Sequence, residues 1–260
     1  TATPDTGYSF SAWSGGATGS DNPVSVTIAG DTAVTATFTI NQYTLTVVQG
    51  SDGIISPGTT VVDYGDSQTF TITPDTGYHI VDVIVDGVSV GVLSSWDFTD
   101  IQENHTITAT FDIDQFTITV IQGEHGTIAP NTTALNYGDN LVLAITPNVG
   151  YHITDVTVDG VSQGAITSYT FTNVTADHTI TASFAADEHA LTVTVIGSGS
   201  VSESGLGSYH YGDFVELTAT PSAGWSFAGW SGDITGSDNP HIFIVNDSMS
   251  VTATFTQNTY

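Results

Sequence analysis

The chain contains no lysine and no arginine, whereas 27 of its 260 residues are Asp or Glu, so its formal net charge is −27. Average proteins carry about 25% charged residues of both signs. Contacts to phosphates require Lys or Arg, and adhesion to anionic lipid requires a basic patch. We therefore expect no nucleic-acid partner. P-loop, kinase, Schiff-base and arginine-finger chemistries also lack their cation.

The chain also lacks cysteine, which excludes disulfides, thiol catalysis and thiolate ligation of zinc or iron–sulfur clusters. No apolar run approaches the 18 residues of a membrane span, so we expect no membrane insertion. Hydrophobic residues nevertheless make up 39% of the sequence and aromatic residues 10%. That content predicts packed cores rather than a charged disordered tail.

Three short motifs recur along the chain and reveal an internal repeat. A Thr-Pro-x-x-Gly-aromatic motif ends at Tyr8, Tyr78, Tyr151 and Trp225. A Tyr-Gly-Asp motif begins at Tyr64, Tyr137 and Tyr211. A closing Thr-Ala-Thr/Ser-Phe motif ends at Phe38, Phe111, Phe184 and Phe255, in steps of 73, 73 and 71 residues.

Two kinds of unit occur within this repeat. Residues 43–115 align without a gap with 116–188 at 38 of 73 identical positions, and both carry Asp-Val-x-Val-Asp-Gly. Residues 1–43 align with 218–260 at 24 of 43 positions, and both carry Trp-Ser-Gly. We predict a partial repeat at 1–42, repeats at 43–115 and 116–189, and a last repeat at 190–260. We expect the chain to be part of a longer array.

The local pattern predicts an all-β fold. Segments such as Tyr43–Val47 and Thr106–Phe111 alternate with a period of two, as expected for strands with one buried face. Gly, Asp, Asn and Pro clusters separate these segments, and no segment shows a helical period. The sequence predicts a tandem array of small β-sandwich-like modules of about 73 residues, with almost no helix.

The motifs together resemble the divergent internalin-B-type B-repeat of bacterial and archaeal surface proteins. The resemblance is carried by Tyr-Gly-Asp, by the run from Gly224 to Gly232 and by Val251–Phe255, and it covers essentially the whole chain. It implies tandem extracellular modules in large secreted or wall-attached proteins, acting as spacers or adhesive stalks without catalytic residues. The middle repeats depart from it by replacing Gly-Trp-Ser-Gly with Asp-Val-x-Val-Asp-Gly.

Repeated acidic turns are the candidate metal ligands, because calcium binds Asp, Asn and carbonyl oxygens. The candidates are Asp21, Asn22, Asp238, Asn239, Asp86 and Asp159. The alternative is ordinary turn formation, for which Asp and Asn are equally suited. If calcium binds, Ca²⁺ raises the melting temperature and EDTA lowers it. No cofactor other than calcium is expected.

The repeated aromatic and histidine positions also allow two interpretations each. Trp13 and Trp230 are equivalent and either pack in the core or stack on a glycan. His79 and His152 share one repeat position, and His105 and His178 share another. Equal copies in successive modules favour a structural role over zinc or acid–base chemistry. We expect no Ser-His-Asp triad, because no Gly-x-Ser-x-Gly nucleophile elbow sits between a strand and a helix.

The sequence therefore predicts a non-enzymatic stalk or spacer of a large extracellular or cell-surface protein, with neighbouring repeats as its partners. We expect its modules to form a rod that projects a distal domain. One alternative is self-association into an extracellular filament or sheath, assisted by Ca²⁺ and completed by strand addition at the first unit. The other is a module that binds host or matrix glycans through Trp13 and Trp230.

Overall fold

The computed structural model describes residues 1–205 and 208–259, and none of them lies in a helix. It therefore holds no helix long and apolar enough to cross a membrane. The chain divides into two compact units, Thr1–Gln115 and Phe116–Tyr260. The predicted all-β class and the absence of helix are confirmed for the described residues.

The first unit holds the partial repeat and one complete module. The partial repeat forms a two-stranded antiparallel sheet, with strands β1 (Tyr8–Gly15) and β2 (Val34–Ile40). In the complete module, one sheet has the order β5-β3-β10-β7-β8 and the other β4-β6-β9. The strands of this module are β3 (Gln42–Val48), β4 (Gly53–Ser56), β5 (Thr60–Asp63), β6 (Gln68–Pro74), β7 (Tyr78–Val85), β8 (Val88–Gly91), β9 (Ser95–Phe98) and β10 (His105–Ile113).

The second unit begins with a module of the same topology. Its sheets have the orders β13-β11-β18-β15-β16 and β12-β14-β17. The strands are β11 (Gln115–Ile121), β12 (Gly126–Ala129), β13 (Thr133–Asn136), β14 (Leu141–Pro147), β15 (Tyr151–Val158), β16 (Val161–Ser162), β17 (Ser168–Phe171) and β18 (His178–Ala186).

The last module has two three-stranded sheets, β20-β26-β24 and β21-β23-β25, and a short ladder β19-β22. Its strands are β19 (Glu188–His189), β20 (Leu191–Ile196), β21 (Gly199–Glu203), β22 (Tyr209–His210), β23 (Phe214–Pro221), β24 (Trp225–Gly232), β25 (His241–Ile244) and β26 (Met249–Gln257). β19 ends at His189, immediately before the boundary predicted at 189/190.

Each complete module buries a core of its own between its two sheets. In the 43–115 module, Leu45 and Ile107 from one sheet are buried against Phe70 and Ile72 from the other. The 116–189 module buries Ile118, Leu143 and Ile180 in the same way. These residues occupy the alternate positions that face inward on a pleated strand. The predicted sandwich-like packing is therefore confirmed.

Candidate functional site: the links between modules

The Gly-Ser-Asp-Asn-Pro loops are held by hydrogen bonds within their own modules. The Asn239 side-chain amide donates to the Ala219 carbonyl at 2.7 Å, and the Ala219 N–H donates to Asn239 Oδ1 at 2.8 Å. The Trp230 indole N–H donates to the Asp238 carbonyl at 2.8 Å. In the first module the same contacts join Asn22 to Ala2 and Trp13 to Asp21. The side chains of Asn22 and Asn239 therefore form hydrogen bonds to the backbone, as expected for residues that stabilise a turn.

The hairpin aspartates form hydrogen bonds to the last strand of their own module. Thr106 donates its N–H to Asp86 Oδ1 at 2.7 Å, and His105 Nδ1 lies 2.7 Å from Asp86 Oδ2. Burial acts to raise the pKa of Asp86, but these hydrogen bonds and the His105 charge outweigh it and hold that pKa below its ordinary value. Asp86 also adopts φ of 50°, a conformation that Asp tolerates better than most residues.

Asp159 repeats this arrangement in the next module. The Thr179 N–H donates to Asp159 Oδ1 at 2.8 Å, and His178 Nδ1 lies 2.6 Å from Asp159 Oδ2. The backbone bond from Thr179, followed by the bond with His178, lowers the pKa of Asp159. Within residues 1–205 and 208–259, no three His, Cys, Asp or Glu side chains cluster closely enough to hold a metal ion. Calcium binding stays a prediction.

The two equivalent tryptophans lie in aromatic clusters. Trp230 is only 4% exposed and belongs to the core of the last module, with its ring 5.0 Å from that of Phe227. Trp13 is half-buried and lies 5.0 Å from Phe10. The buried Trp230 ring offers no free face to a sugar in this conformation. Glycan binding at Trp13 stays a prediction.

The other repeated histidines contact the residue that links one module to the next. His79 Nδ1 lies 2.8 Å from Asp114, and His152 Nδ1 lies 2.9 Å from Asp187. The Trp-Ser-Gly repeats place a neutral pair at the same position, with Ser9 donating to Asn41 and Ser226 donating to Asn258. Each strand that follows the Gly-aromatic motif is therefore tied to its own linker. The sequence analysis missed these pairs.

Within each of the two units, the tyrosine of one Tyr-Gly-Asp turn packs on the glycine of the preceding repeat. The Tyr64 ring lies so close to Gly7 that a Cβ there would clash with it. The linker residue Asn41 donates its N–H to the Gly7 carbonyl at 2.8 Å and accepts the Tyr64 N–H at 2.8 Å. One residue therefore forms backbone hydrogen bonds to both modules. We call this arrangement the tyrosine joint.

The second unit contains a second tyrosine joint. The Tyr211 ring covers Gly150, and its centroid lies 6.3 Å from that of Tyr151. The linker residue Asp187 donates its N–H to Gly150 at 2.8 Å and accepts the Tyr211 N–H at 2.9 Å. The joint therefore has the same parts in both units, although its linker residue is Asn in one and Asp in the other.

The first long strand and the last strand of each complete module are parallel neighbours. β3 pairs with β10 from Leu45/His105 to Val48/Thr108, and β11 pairs with β18 from Ile118/His178 to Ile121/Thr181. In the last module β20 pairs with β26 from Leu191/Met249 to Ile196/Thr254. Because the two strands are parallel, the chain enters the module at one end of the ladder and leaves it at the other end. We call these two strands the terminal-strand pair.

Compact two-sheet modules, joined through single linker residues, define a tandem β-repeat protein. The chain belongs to the divergent InlB B-repeat domain family, which matches it at residues 1–42, 43–115, 116–188 and 189–259. The resemblance predicted from the motifs is therefore confirmed. A comparison with curated protein sequences finds no match.

Two solved structures show weaker similarity. The Bacillus anthracis TIE protein aligns with 86% of this chain at 8% identity and a TM-score of 0.40, and this chain spans 54% of it. The major pilin protein (T-13) of Streptococcus pyogenes aligns with 84% of this chain at 11% identity and a TM-score of 0.17, over 96% of the pilin. TM-scores this low do not establish a shared fold.

Proposed function

We propose that this chain is a non-enzymatic structural segment, a load-bearing spacer or stalk in a large extracellular surface protein. The observation that carries the proposal is the terminal-strand pair, which recurs in every complete module of the described chain. Membership of the divergent InlB B-repeat family supports a repetitive structural role.

The geometry of the pair explains how a module resists tension. In the 43–115 module, tension enters at β3 and leaves at β10, and these strands are hydrogen-bonded in parallel. Pulling their opposite ends apart loads the ladder in shear. The evenly spaced hydrogen bonds of a parallel ladder must then break together, whereas pulling from one end breaks them one at a time. Resistance to force depends on the unfolding rate rather than on equilibrium stability.

The composition suits exposure outside the cell. Without Lys or Arg, the chain offers no cleavage site to trypsin-like proteases. A uniform negative charge keeps solvated chains apart. The absence of Lys and Arg therefore supports both a location at the cell surface and the role of a spacer.

Single-molecule pulling on the 43–115 module tests the proposal. The chain has no cysteine, so two introduced thiols fix the points of force. Gln42→Cys with Asp112→Cys loads the terminal-strand pair in shear, and unfolding lengthens the tether by about 20 nm. We expect this pair to require several times the force of the control pair.

The control is Gln42→Cys with Glu103→Cys, because Glu103 precedes β10 at the same end of the ladder as Gln42. Force then peels β3 from β10 one bond at a time. All three positions are exposed, so both variants keep the core unchanged. Equal unfolding forces for the two pairs would contradict the load-bearing role.

Self-association into a filament and glycan binding remain predictions. Light scattering in Ca²⁺ and in EDTA tests self-association. A spacer keeps the solution mass of a 27.1 kDa monomer, whereas a filament subunit assembles into particles of much larger mass. Retention on a polysaccharide column, and its loss in Trp13→Ala, tests the second.

A further inference from the structure

The platform that receives the tyrosine is a glycine of positive φ whose carbonyl accepts the linker N–H, and at Gly224 this platform is open. Gly7 and Gly150 are each covered by a tyrosine ring, whereas no atom of the described residues lies within 4 Å of a Cβ placed on Gly224. All three glycines adopt positive φ, at 82°, 79° and 81°. The backbone conformation is therefore the same with and without the ring.

The rest of the platform at Gly224 is already assembled. Asn258 donates its N–H to the Gly224 carbonyl at 2.9 Å, as Asn41 does to Gly7 at 2.8 Å. Ser226 donates to Asn258 Oδ1 at 2.6 Å, as Ser9 does to Asn41 at 2.5 Å. The Asn258 carbonyl thus stands where the Asn41 carbonyl accepts the Tyr64 N–H. A preorganised surface binds without a further ordering cost.

We propose that the surface formed by Gly224, Trp225 and Asn258 is a docking site for the Tyr-Gly-Asp turn of a further repeat. The tyrosine ring would cover Gly224, and its N–H would donate to the Asn258 carbonyl. Trp225 takes the place of Tyr151, whose ring meets Tyr211 edge-on in the occupied joint. The inference rests on the proposed function, because it supplies the link by which one spacer module continues into the next.

A repeat in the same polypeptide fits this surface better than a second copy of the chain. Two of the three Tyr-Gly-Asp tyrosines, Tyr64 and Tyr211, already cover the glycines of their own units. A repeat joined after residue 260 would carry an unused tyrosine at the correct distance, as residues 43–115 do after residues 1–42. A second copy would also approach against a charge of −27 on each chain.

An extended protein tests the docking. Residues 218–260 align with 1–43, so residues 44–115 are added after position 260 to continue the repeat in register. Spin labels at Thr256→Cys and at the added copy of Thr69→Cys report the new joint. Labels at Thr39→Cys and Thr69→Cys in the original chain report the natural joint, and all these positions are exposed.

We expect the two label pairs to give the same distance distribution, with one narrow peak each. In the extended protein, Gly224→Ala should broaden the peak, because its Cβ would meet the docked ring. Replacing the added copy of Tyr64 with Ala should broaden it equally while leaving the last module unchanged. Gly160→Ala is the control, since Gly160 adopts φ of 78° with open space around its Cβ.

A narrow distance distribution at the natural joint with a broad distribution at the new joint would overturn the docking site and leave the spacer proposal standing. Two broad distributions would overturn the tyrosine joint as a fixed link. Neither result alters the pulling comparison on the 43–115 module, so the two proposals fail separately. End-to-end association of the unextended chain, abolished by Gly224→Ala, would replace the proposed occupant with a second copy.

Discussion

The glycine of the tyrosine joint is constrained twice at one position. Gly150 adopts φ of 79°, a region that favours glycine, and the Tyr211 ring occupies the space of a Cβ. Gly160 adopts φ of 78° and has no neighbour within 4 Å of a Cβ. Comparing substitutions at these two glycines therefore separates the cost of backbone strain from the cost of the steric clash with the ring.

Gly150→Ala should destabilise the second unit more than Gly160→Ala. Both substitutions cost roughly 1–2 kcal/mol for the left-handed conformation, and a clash with the ring adds roughly 1–3 kcal/mol at Gly150 only. The check is the free energy of unfolding from denaturant titration of both variants. Equal losses would mean that the Tyr211 ring moves away at no cost.

Asp86 and Asp159 make stability depend on pH. Both pKa values lie below the ordinary value of 3.8 in the folded protein, so their stabilising contribution is complete above that value. It is lost as the pH falls from about 3.8 through the lowered pKa values. The stability difference between the natural chain and the Asp86→Asn, Asp159→Asn variant should therefore shrink over that interval.

The measurement is the free energy of unfolding against pH for the natural chain and the variant. The comparison is made by difference, because acid also relieves repulsion among the other carboxylates. Asp97→Asn is the control, since it removes one charge from the exposed face of β9. A constant difference down to about pH 2 would contradict the role of the two hydrogen-bonded carboxylates.

At the scale of the strand, each module depends on a few inward-facing side chains. Leu45 on β3 is fully buried, whereas Val61 on the neighbouring strand β5 is 56% exposed. The strand that contributes to the terminal-strand pair therefore also anchors the core. Loss of the Leu45 side chain should weaken both.

Leu45→Ala should cost about 2–5 kcal/mol, because a buried cavity adds to the lost transfer free energy. Val61→Ala on the exposed face should cost less than about 1 kcal/mol. Hydrogen exchange measured along the chain is the check, with lost protection expected in residues 43–115 and unchanged protection in the last module. Equal loss of protection in the last module would show that the modules unfold together.

At the scale of the whole molecule, the missing cations leave 27 carboxylates with histidine as the only basic side chain. Four of the eight histidines contact an aspartate at a repeated position. The remaining negative charge repels itself. Salt screens this repulsion over a Debye length of about 10 Å at 0.1 M.

The melting temperature should therefore rise between low salt and about 0.5 M NaCl. CaCl₂ and MgCl₂ at equal ionic strength separate screening from specific binding. A larger rise with Ca²⁺ than with Mg²⁺ would support calcium sites at the predicted turns. A melting temperature that is flat in NaCl would contradict the repulsion argument.

The side-chain pair at each linker could have been predicted from the sequence. Ser9 and Asn41 are 32 residues apart, as are Ser226 and Asn258, and His79 and Asp114 are 35 apart, as are His152 and Asp187. Serine therefore changes to histidine whenever asparagine changes to aspartate. This internal covariation indicates contact, but the sequence analysis treated the histidines without their partners.

The sequence by itself determined the repeat, the strands and the family, because a period of two and a recurring motif are local or additive signals. The sequence left core packing and glycan stacking open for Trp230, whose ring is buried in the core of the last module. Only the tertiary structure decided that β3 lies parallel to β10 and that Tyr64 covers Gly7. Strand order and ring contacts arise from the folding of distant segments onto one core, and no local pattern of residues encodes them.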